Sequence, residues 1–545
     1  MNTSHASLPG TTSDVLIVGF GPVGKLLAIK LGQQGLDVVV VDRNAAAYPL
    51  PRAVTHCSDF ARILQSVGLA PDTIPHITEP YDDMYSWRDR DGRTLVEVDW
   101  SGRGESDWYN TYFFHQPALE DALDEIVDGL ENVRVMRGWE AVSLSHGAED
   151  ATVGMHTSVG EEMSVTAEWV IGADGANSTI RNLADIEWHD DGYFFDWLVV
   201  DVKLRPGLKF PHIAAQSCDS RRPSTMVPGG PGRRRWEFMR LPHESTTDLD
   251  RTEKAWELLA PYGLSPDNAE LERHSVYTFQ SCWATEWRRG RVVLAGDAAH
   301  LMPPFAGQGL GAGARDVMNL SWKLGAVMRG HADDSLIDTY GAERIHHAVA
   351  FVKFSTSLGQ VICITDPAEA HARDQRMLSE WKAGMKPPAP PRPGLGDGVH
   401  TGPFGGALAR QGRVRVTDGR DIVLFDDAFD GPGAVITRTA DTLATITADA
   451  RASLLDLGIT SVALSGSAVA GSVIDDVDGT YRRWLDELGA DTVLVRPDFH
   501  LYGSSAAEET SHLITEFLSK VGGRSASAVQ QNESTSSAYV RTKES

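Results

Sequence analysis

Asp14-Val15-Leu16-Ile17-Val18 runs directly into Gly19-Phe20-Gly21-Pro22-Val23-Gly24, and the fold is decided there. A short, mostly β-branched apolar run reads as a strand buried on both faces of a parallel sheet. The three glycines then have separate physical tasks: the first permits a tight turn, the second lets the main chain approach a pyrophosphate, and the third lets the next helix pack closely on the strand. Val23, Leu26, Leu27 and Leu31 recur at helical spacing until Gly35, and a second apolar run, Val38 to Val41, ends in Asp42. Strand, turn, helix and strand make a βαβ unit whose free N–H groups and positive helix end favour phosphates. Asp42 lies 18 residues after Gly24, where an acid can bind an adenosine ribose. This fingerprint does not separate FAD from NAD.

Two distant segments repeat the grammar of a strand delivering a glycine turn with a carboxylate at its tip. They are Glu168-Trp169-Val170-Ile171-Gly172-Ala173-Asp174-Gly175 and Arg291-Val292-Val293-Leu294-Ala295-Gly296-Asp297-Ala298-Ala299-His300. Ligands of open α/β folds sit beyond the carboxyl ends of the strands, so Asp174 and Asp297 fall where a nucleotide binds. Singly, each element reads equally well as a solvated turn. Their order and spacing are what argue for a flavin nucleotide.

Composition sets the outer bounds. A chain of 545 residues, 42% hydrophobic and 23% charged, is an ordinary globular chain that needs two or three domains. A formal net charge of -25 disfavours nucleic acid and anionic membrane surfaces, which are bound through clustered Lys and Arg. Cys57, Cys218, Cys282 and Cys363 stand singly and read as buried or indifferent thiols, and no metal site is expected. The polar start, Met1 to Pro9, lacks a secretory layout and no apolar run has spanning length, so the expected location is cytoplasmic.

With these segments in hand, the chain resembles the class A FAD-dependent monooxygenases, the superfamily of para-hydroxybenzoate hydroxylase, and most nearly the 3-(3-hydroxyphenyl)propionate hydroxylase and phenol hydroxylase branch. Gly19, Gly21, Pro22 and Gly24, Asp174-Gly175, Gly296-Asp297 and the run Met302-Pro303-Pro304-Phe305-Ala306-Gly307-Gln308-Gly309-Leu310 carry the resemblance. Pro51-Arg52-Ala53 and Gln116-Pro117-Ala118-Leu119-Glu120 add to it. The resemblance implies that Asp42 and Arg43 flank the adenosine ribose, with the backbone near Ala141 beside the adenine. It implies that Gln116 and Asp297 hold the pyrophosphate and ribityl portion, and that Gly309 and Leu310 present N–H groups to the isoalloxazine. Arg52 is implied near the ring, as the one candidate there for a catalytic role, and Asp174 in a segment serving both FAD and NAD(P)H. Gly311 stands where several relatives carry asparagine, so no side-chain amide acts there. His300 reads as a loop-orienting group, not a base.

The implied activity is hydroxylation of a small phenolic substrate in aromatic catabolism. NADH or NADPH reduces bound FAD, O2 yields a flavin C4a-hydroperoxide, and oxygen passes to an electron-rich ring. The sequence names no base for the phenol. An antibiotic- or polyketide-modifying monooxygenase is the nearest alternative. A flavin halogenase would carry a W-x-W-x-I-P element, which is absent. An NAD-dependent dehydrogenase would show no flavin absorbance, and an FAD-binding regulatory protein would oxidise no NAD(P)H.

The expected architecture is α/β. A Rossmann-like FAD-binding domain (1–79, 99–190 and 288–384) is interleaved with a β-sheet substrate domain (80–98 and 191–287). Alternation in Arg235-Trp236-Glu237-Phe238-Met239 and Ser275-Val276-Tyr277-Thr278-Phe279 marks half-buried strands of that sheet. Tyr81, Tyr85, Trp87, Tyr193, Phe195, Trp236 and Phe238 suit a phenolic ring, although core packing explains most of them better. After a helix through Ala368 to Trp381, the linker Lys386 to Pro393 leads to a C-terminal domain (394–523). There, strands at Asp421–Phe425 and Asp491–Asp498 and helices at Ala440–Leu457 and Thr510–Val521 resemble a thioredoxin-like domain. It has no cysteine, so a structural or homodimer-forming role is expected. Residues 524–545 are Ser-rich and read as a disordered tail.

Overall fold

Apolar strands that must bury both faces stack side by side, and the central sheet is built that way. Thr11–Val18 pairs in parallel with Val38–Asp42 on one side and Glu162–Gly172 on the other. Val133–Arg137 and Val292–Leu294 extend the parallel order outward. All three sequence-predicted glycine turns therefore leave the same sheet, from strands that are neighbours or one strand apart. An antiparallel flap, Ala151–Thr157 with Trp139–His146, continues from the far end of Glu162–Gly172. The computed structural model describes residues 11–208, 210–387, 390–416, 421–429, 431–467 and 472–522. The tail 524–545 and linker residues Pro388 and Ala389 lie outside the described residues.

The chain divides into two compact units. The larger takes the residues up to Gly104, then Trp108–Ala314 and Ala348–Arg392. The smaller takes Glu105–Asp107, Arg315–His347 and the residues from Pro393 onward. Within the larger unit, a second eight-stranded sheet runs in the order His300–Leu301, Ala269–Ala284, Trp188–Leu204, Arg233–Met239, Ser224–Pro228, Ala214–Ser217, Met84–Arg88 and Thr94–Asp99. The last two strands form a hairpin within the stretch Pro80 to Val98 and its flank.

Side-chain alternation gives this second sheet two different faces. Trp236 and Phe238 pack with Leu198, Val200, Leu249 and Leu259 in an apolar cluster, each such burial stabilising by about 1.5–3 kcal/mol. Arg235 and Glu237 point the other way and line a cavity. Buried charge on one face and buried aromatics on the other is the signature of a sheet that covers a polar site.

In the smaller unit a seven-stranded mixed sheet carries parallel and antiparallel pairs, with Gly433–Thr437 between Ile459–Ala463 (parallel) and Thr492–Val495 (antiparallel). The helix expected over Ala440–Leu457 is two helices, Ala440–Ala444 and Ala448–Asp456. The hydroxyls of Thr439 and Thr447 each accept from a backbone N–H three residues on and start a new helix, a capping preference that outweighs the continuous apolar spacing. The strand expected at Asp421–Phe425 is confined to Val423–Leu424, and the one at Asp491–Asp498 to Thr492–Val495, because Pro497 cannot donate to a ladder. Among the described residues, no single helix is long and apolar enough to cross a membrane, and no group of three His, Cys, Asp or Glu is placed to hold a metal.

Candidate active site

A cavity of about 710 Å³ opens in the larger unit, at the carboxyl ends of the central strands and against the charged face of the second sheet. Every sequence-predicted site residue lines it except Gly24 and Gly296. Those that line it are Gly19, Gly21, Pro22, Asp42, Arg43, Arg52, Gln116, Ala141, Asp174, Asp297, Pro304, Gly309 and Leu310.

The local backbone explains the two exceptions. A Cβ on Gly24 would stand 2.0 Å from the Gly19 carbonyl oxygen, so Gly24 serves helix-to-strand contact and not the ligand. Gly296 is pressed against Val23 in the same way. Gly19 has φ +106, and a Cβ there would meet the Ala173 carbonyl oxygen at 2.3 Å. Gly21, by contrast, has only the Arg52 guanidinium, 3.5 Å away, near its missing side chain. The main chain is thus closed behind the turn and open in front of it, at the start of helix Pro22–Gly32 with Pro22 in its first position. This cradle, with Arg43, Arg52 and Arg137 along it, suits the pyrophosphate of an FAD.

Several predicted residues also hold the site together. The Asp42 carboxylate accepts from the Phe20 N–H at 2.8 Å and from the Asn44 backbone at 2.8 Å, tying the glycine turn to the neighbouring strand. Gln116 uses its carboxamide oxygen to accept from the N–H groups of Arg52 (3.0 Å) and Ala53 (2.6 Å), while its NH2 donates to Glu120 at 2.7 Å. Its amide therefore shapes the Pro51-Arg52-Ala53 loop. Asp174 accepts from the Ser178 hydroxyl and from the N–H of Thr179 at 2.7 Å and Ile180 at 3.1 Å. Burial raises its carboxyl above the ordinary value against those donors. Lys25 is fully buried and pairs with Glu120 at 3.3 Å and Asp124 at 2.9 Å, anchoring the first helix to the helix that carries Gln116.

The second sheet contributes groups that the sequence reading missed. Register places Glu237 opposite Thr225, and Thr225 opposite Gln216. The Thr225 hydroxyl donates to the Gln216 side-chain amide oxygen at 2.7 Å and the Tyr85 hydroxyl to the same oxygen at 3.4 Å. All four line the cavity as a polar ledge. Arg235 grips Asp201 with two hydrogen bonds, 2.7 and 2.8 Å, and donates to the carbonyl oxygens of Arg52 (2.5 Å) and Pro51 (3.1 Å). The ledge is thereby locked to the loop that Gln116 shapes. Arg273, across Asp201 in the sheet, is buried and lies over the rings of Tyr277 (4.4 Å) and Tyr48 (6.0 Å). Its three guanidinium nitrogens find no hydrogen-bond acceptor among the described residues. Burial, and then the charge of Arg235, bring its pKa down to about 10.

Glu237 is the unusual member. It is 8% exposed and its carboxylate accepts no hydrogen bond among the described residues, Arg235 being its ion-pair neighbour at 3.8 Å. Burial raises its carboxyl above the ordinary range, with Arg235 and Arg273 opposing and Asp201 assisting. The signal that could have found it is the alternation itself: charges at two-residue spacing within a strand of buried aromatics.

Of the aromatics considered for the ring, Tyr85 lines the cavity, stacked on Trp100 at 4.3 Å. Tyr81, Trp87 and Tyr193 belong to the apolar core beside it, with Phe195 packed against that core, and Trp236 and Phe238 to the opposite face. His300 lines the cavity and stacks on Trp287 at 5.2 Å. Burial pushes the thiols of Cys218 and Cys363 up to about 12 and that of Cys282 to about 11, which leaves them un-ionised and inert at neutral pH.

Comparison with known proteins gives matches over nearly the whole chain. The FAD binding domain family matches residues 12–355, and the HcaD C-terminal domain matches residues 406–520. A probable NADH-specific resorcinol 4-hydroxylase of Rhodococcus jostii (strain RHA1) is 35% identical over 511 residues, covering 93% of this chain and 95% of that protein. A 3-(3-hydroxy-phenyl)propionate/3-hydroxycinnamic acid hydroxylase of Escherichia coli (strain 55989 / EAEC) is 32% identical over 515 residues, covering 89% of this chain and 90% of that protein. Among solved structures, the flavin-dependent monooxygenase PieE in complex with FAD and substrate superposes with a TM-score of 0.75 at 21% identity, covering 94% of this chain and 100% of the other.

Proposed function

Because the chain belongs to the FAD binding domain family, among the class A flavin monooxygenases, and is an NAD(P)H-dependent FAD aromatic hydroxylase, we propose that it uses NADH and that its substrate is a small phenol of the resorcinol or hydroxyphenylpropionate kind. The observation that carries this reading is one continuous cavity. It joins the glycine cradle to a polar ledge of Glu237, Thr225, Gln216 and Tyr85. A volume of about 710 Å³ shared between an FAD and its substrate suits a single ring. A bound FAD would supply the redox chemistry linking NADH, O2 and the ring.

The chain's own residues bind, orient and exclude water. The amides at the start of helix Pro22–Gly32 and the arginines along the cradle hold the phosphates. Asp42, Arg43 and Ala141 take the adenosine end. Gln116, Asp174 and Asp297 fix the middle, and Arg52 and Pro304 the ring end. N–H groups at the start of helix Gly309–Met328, where Gly309 and Leu310 line the cavity, would stabilise negative charge on a flavin ring held there. Phe113, Trp100 and Phe305 wall the substrate side and keep water from the oxygen-transfer step.

The division of labour follows the domain bounds read from the sequence: FAD binding by 1–79, 99–190 and 288–384, substrate binding by 80–98 and 191–287. The mixed sheet supports a thioredoxin-like reading of 394–523, and the absence of cysteine there a structural or homodimer-forming role. A cytoplasmic location, where NADH is supplied, completes the reading.

The test is NADH oxidation by the yellow, FAD-loaded protein with resorcinol and with 3-(3-hydroxyphenyl)propionate, with O2 uptake, peroxide and product mass followed together. Hydroxylated product in proportion to NADH supports the reading. Protein that takes up no FAD, or oxidises NADH only to peroxide with every phenol, sinks it. A polycyclic polyketide outrunning every one-ring phenol would move the assignment to a tailoring enzyme.

A further inference from the structure

We propose that Glu237 is the general base of this hydroxylase, taking the proton from the ring hydroxyl that activates the substrate. The inference rests on the phenol hydroxylase reading above and deepens it. Three observations converge on this side chain. It lines the cavity, it is buried, and its carboxylate accepts no hydrogen bond among the described residues. Its carboxylate is open to the cavity and lacks a donor from the protein, so a group entering from the cavity with a donor can complete it. A phenolic hydroxyl is such a donor.

The groups around it are matched to the task. Asp201 neutralises Arg235 through paired hydrogen bonds, so on this strand the charge left facing the cavity is that of Glu237, with Arg273 a more distant cation acting on it. Arg273 on the strand two away, Tyr277 on that same strand and Tyr85 on the hairpin complete the titratable and charged surroundings, with Arg52 on the flavin-side loop. Thr225 has its hydroxyl hydrogen committed to Gln216 and so does not compete for Glu237. Burial raises the carboxyl toward the range in which a base works at neutral pH.

The step balances within the cavity. The substrate O–H bond breaks, its proton goes to a Glu237 oxygen, and the electron pair stays on the phenolic oxygen and flows into the ring. The net charge of the cavity is unchanged, so the transfer moves a charge without creating one in a low-dielectric site. The ring carbon ortho or para to that oxygen becomes nucleophilic and receives one atom of O2. The other atom leaves as water with the two electrons of NADH. Loss of the ring C–H proton to solvent restores aromaticity, and the proton on Glu237 returns to the phenolic oxygen.

Glu237→Gln in the FAD-loaded enzyme tests this, with resorcinol as substrate. We expect kcat to fall about 100-fold, FAD content to stay unchanged, and the acid limb of the wild-type pH profile to vanish. The variant's residual rate should climb with pH as resorcinol ionises by itself. A second measurement needs no turnover and no variant. Binding of resorcinol and of 1,3-dimethoxybenzene to the oxidised wild type, followed by flavin absorbance, should favour resorcinol by about tenfold or more. Glu237→Leu should abolish that preference. A variant within threefold of wild type that keeps its acid limb overturns the assignment, as does equal binding of the dimethyl ether by wild type. If the FAD-loaded wild type shows no phenol-stimulated NADH oxidation, the hydroxylase reading fails, while the binding comparison still judges Glu237.

Discussion

Two buried clusters of charge, one in each unit, are built from the same residue types and end in opposite states. In the smaller unit Glu343 accepts from Arg496 through both oxygens (2.8 and 2.7 Å), from Lys323 at 2.7 Å, from Asn319 at 2.7 Å and from the Val399 N–H at 2.6 Å. Asp498 takes Arg496 and Asn319 as well. Burial pushes both carboxyls up, yet the cations beside them, Arg496 foremost, hold both well below the ordinary range. In the larger unit Arg235 and Asp201 are equally well satisfied, but Glu237 accepts nothing and Arg273 donates nothing among the described residues. A closed cluster spends its charges on itself and holds a fold. An open one keeps a charge available for a molecule that arrives later.

The largest effect should come from the cradle that both readings depend on. Gly19→Ala forces a Cβ into the Ala173 carbonyl at a positive φ, and the purified variant should carry no flavin, read from its absorbance. Next comes the closed cluster. Arg496→Met leaves Glu343 and Asp498 buried without their main partner and should cost about 3–5 kcal/mol in denaturant unfolding. A loss below about 1 kcal/mol would show that this cluster, too, is dispensable to stability.

A pH scan separates buried neutral groups from buried charged ones. His56, stacked on Tyr112 at 4.9 Å, has its pKa lowered by burial from 6.5 to about 4. The unfolded chain binds that proton first, so this contribution is complete above pH 6.5 and is lost as pH falls toward 4. The loss amounts to about 3 kcal/mol at most. The depressed carboxyls of Glu343 and Asp498 lose their contribution only as pH falls below the ordinary carboxylate range. Unfolding midpoints of wild type and His56→Gln between pH 7 and 4 should therefore converge.

Smaller still, Gln116→Leu removes the acceptor for Arg52 and Ala53 N–H and should weaken FAD binding about tenfold, or about 1.4 kcal/mol. The smallest stability effect belongs to the open cluster. Arg273→Met removes a charge that has no hydrogen-bond acceptor and should change unfolding free energy by less than about 1 kcal/mol. The same variant should move the acid limb of activity to higher pH, because Arg273 holds the Glu237 carboxyl down.

Much of the cofactor side was legible because backbone requirements write themselves into sequence. Gly19, Gly24 and Gly296 are needed where a Cβ would strike main chain or Val23, and no other residue type fits. Asp42 was placed by spacing, though not its hold on the Phe20 N–H. The seven aromatics were a poor guide to the substrate side, with Tyr85 alone among them on the cavity. Strand parity decides which residues face a ligand, and parity is fixed by which face finds an apolar partner. Trp236 and Phe238 found Leu249 and Leu259, and their charged neighbours were turned to the cavity.

By itself the sequence determined the flavin fold, the order of its glycine turns and the chemistry of the cofactor, since these depend on local geometry and short spacings. Only the tertiary structure decided which side chains of the second sheet line the cavity. Glu237, Thr225, Gln216 and Tyr85 come from four strands spread over more than 150 residues; register sets the first three abreast, and Tyr85, opposite Ala214, reaches Gln216 diagonally through its hydroxyl. Whether a buried charge is closed, like Glu343, or open, like Glu237, depends on which donors long-range packing brings within reach. That is a property of neighbours in space, which neighbours in sequence do not encode.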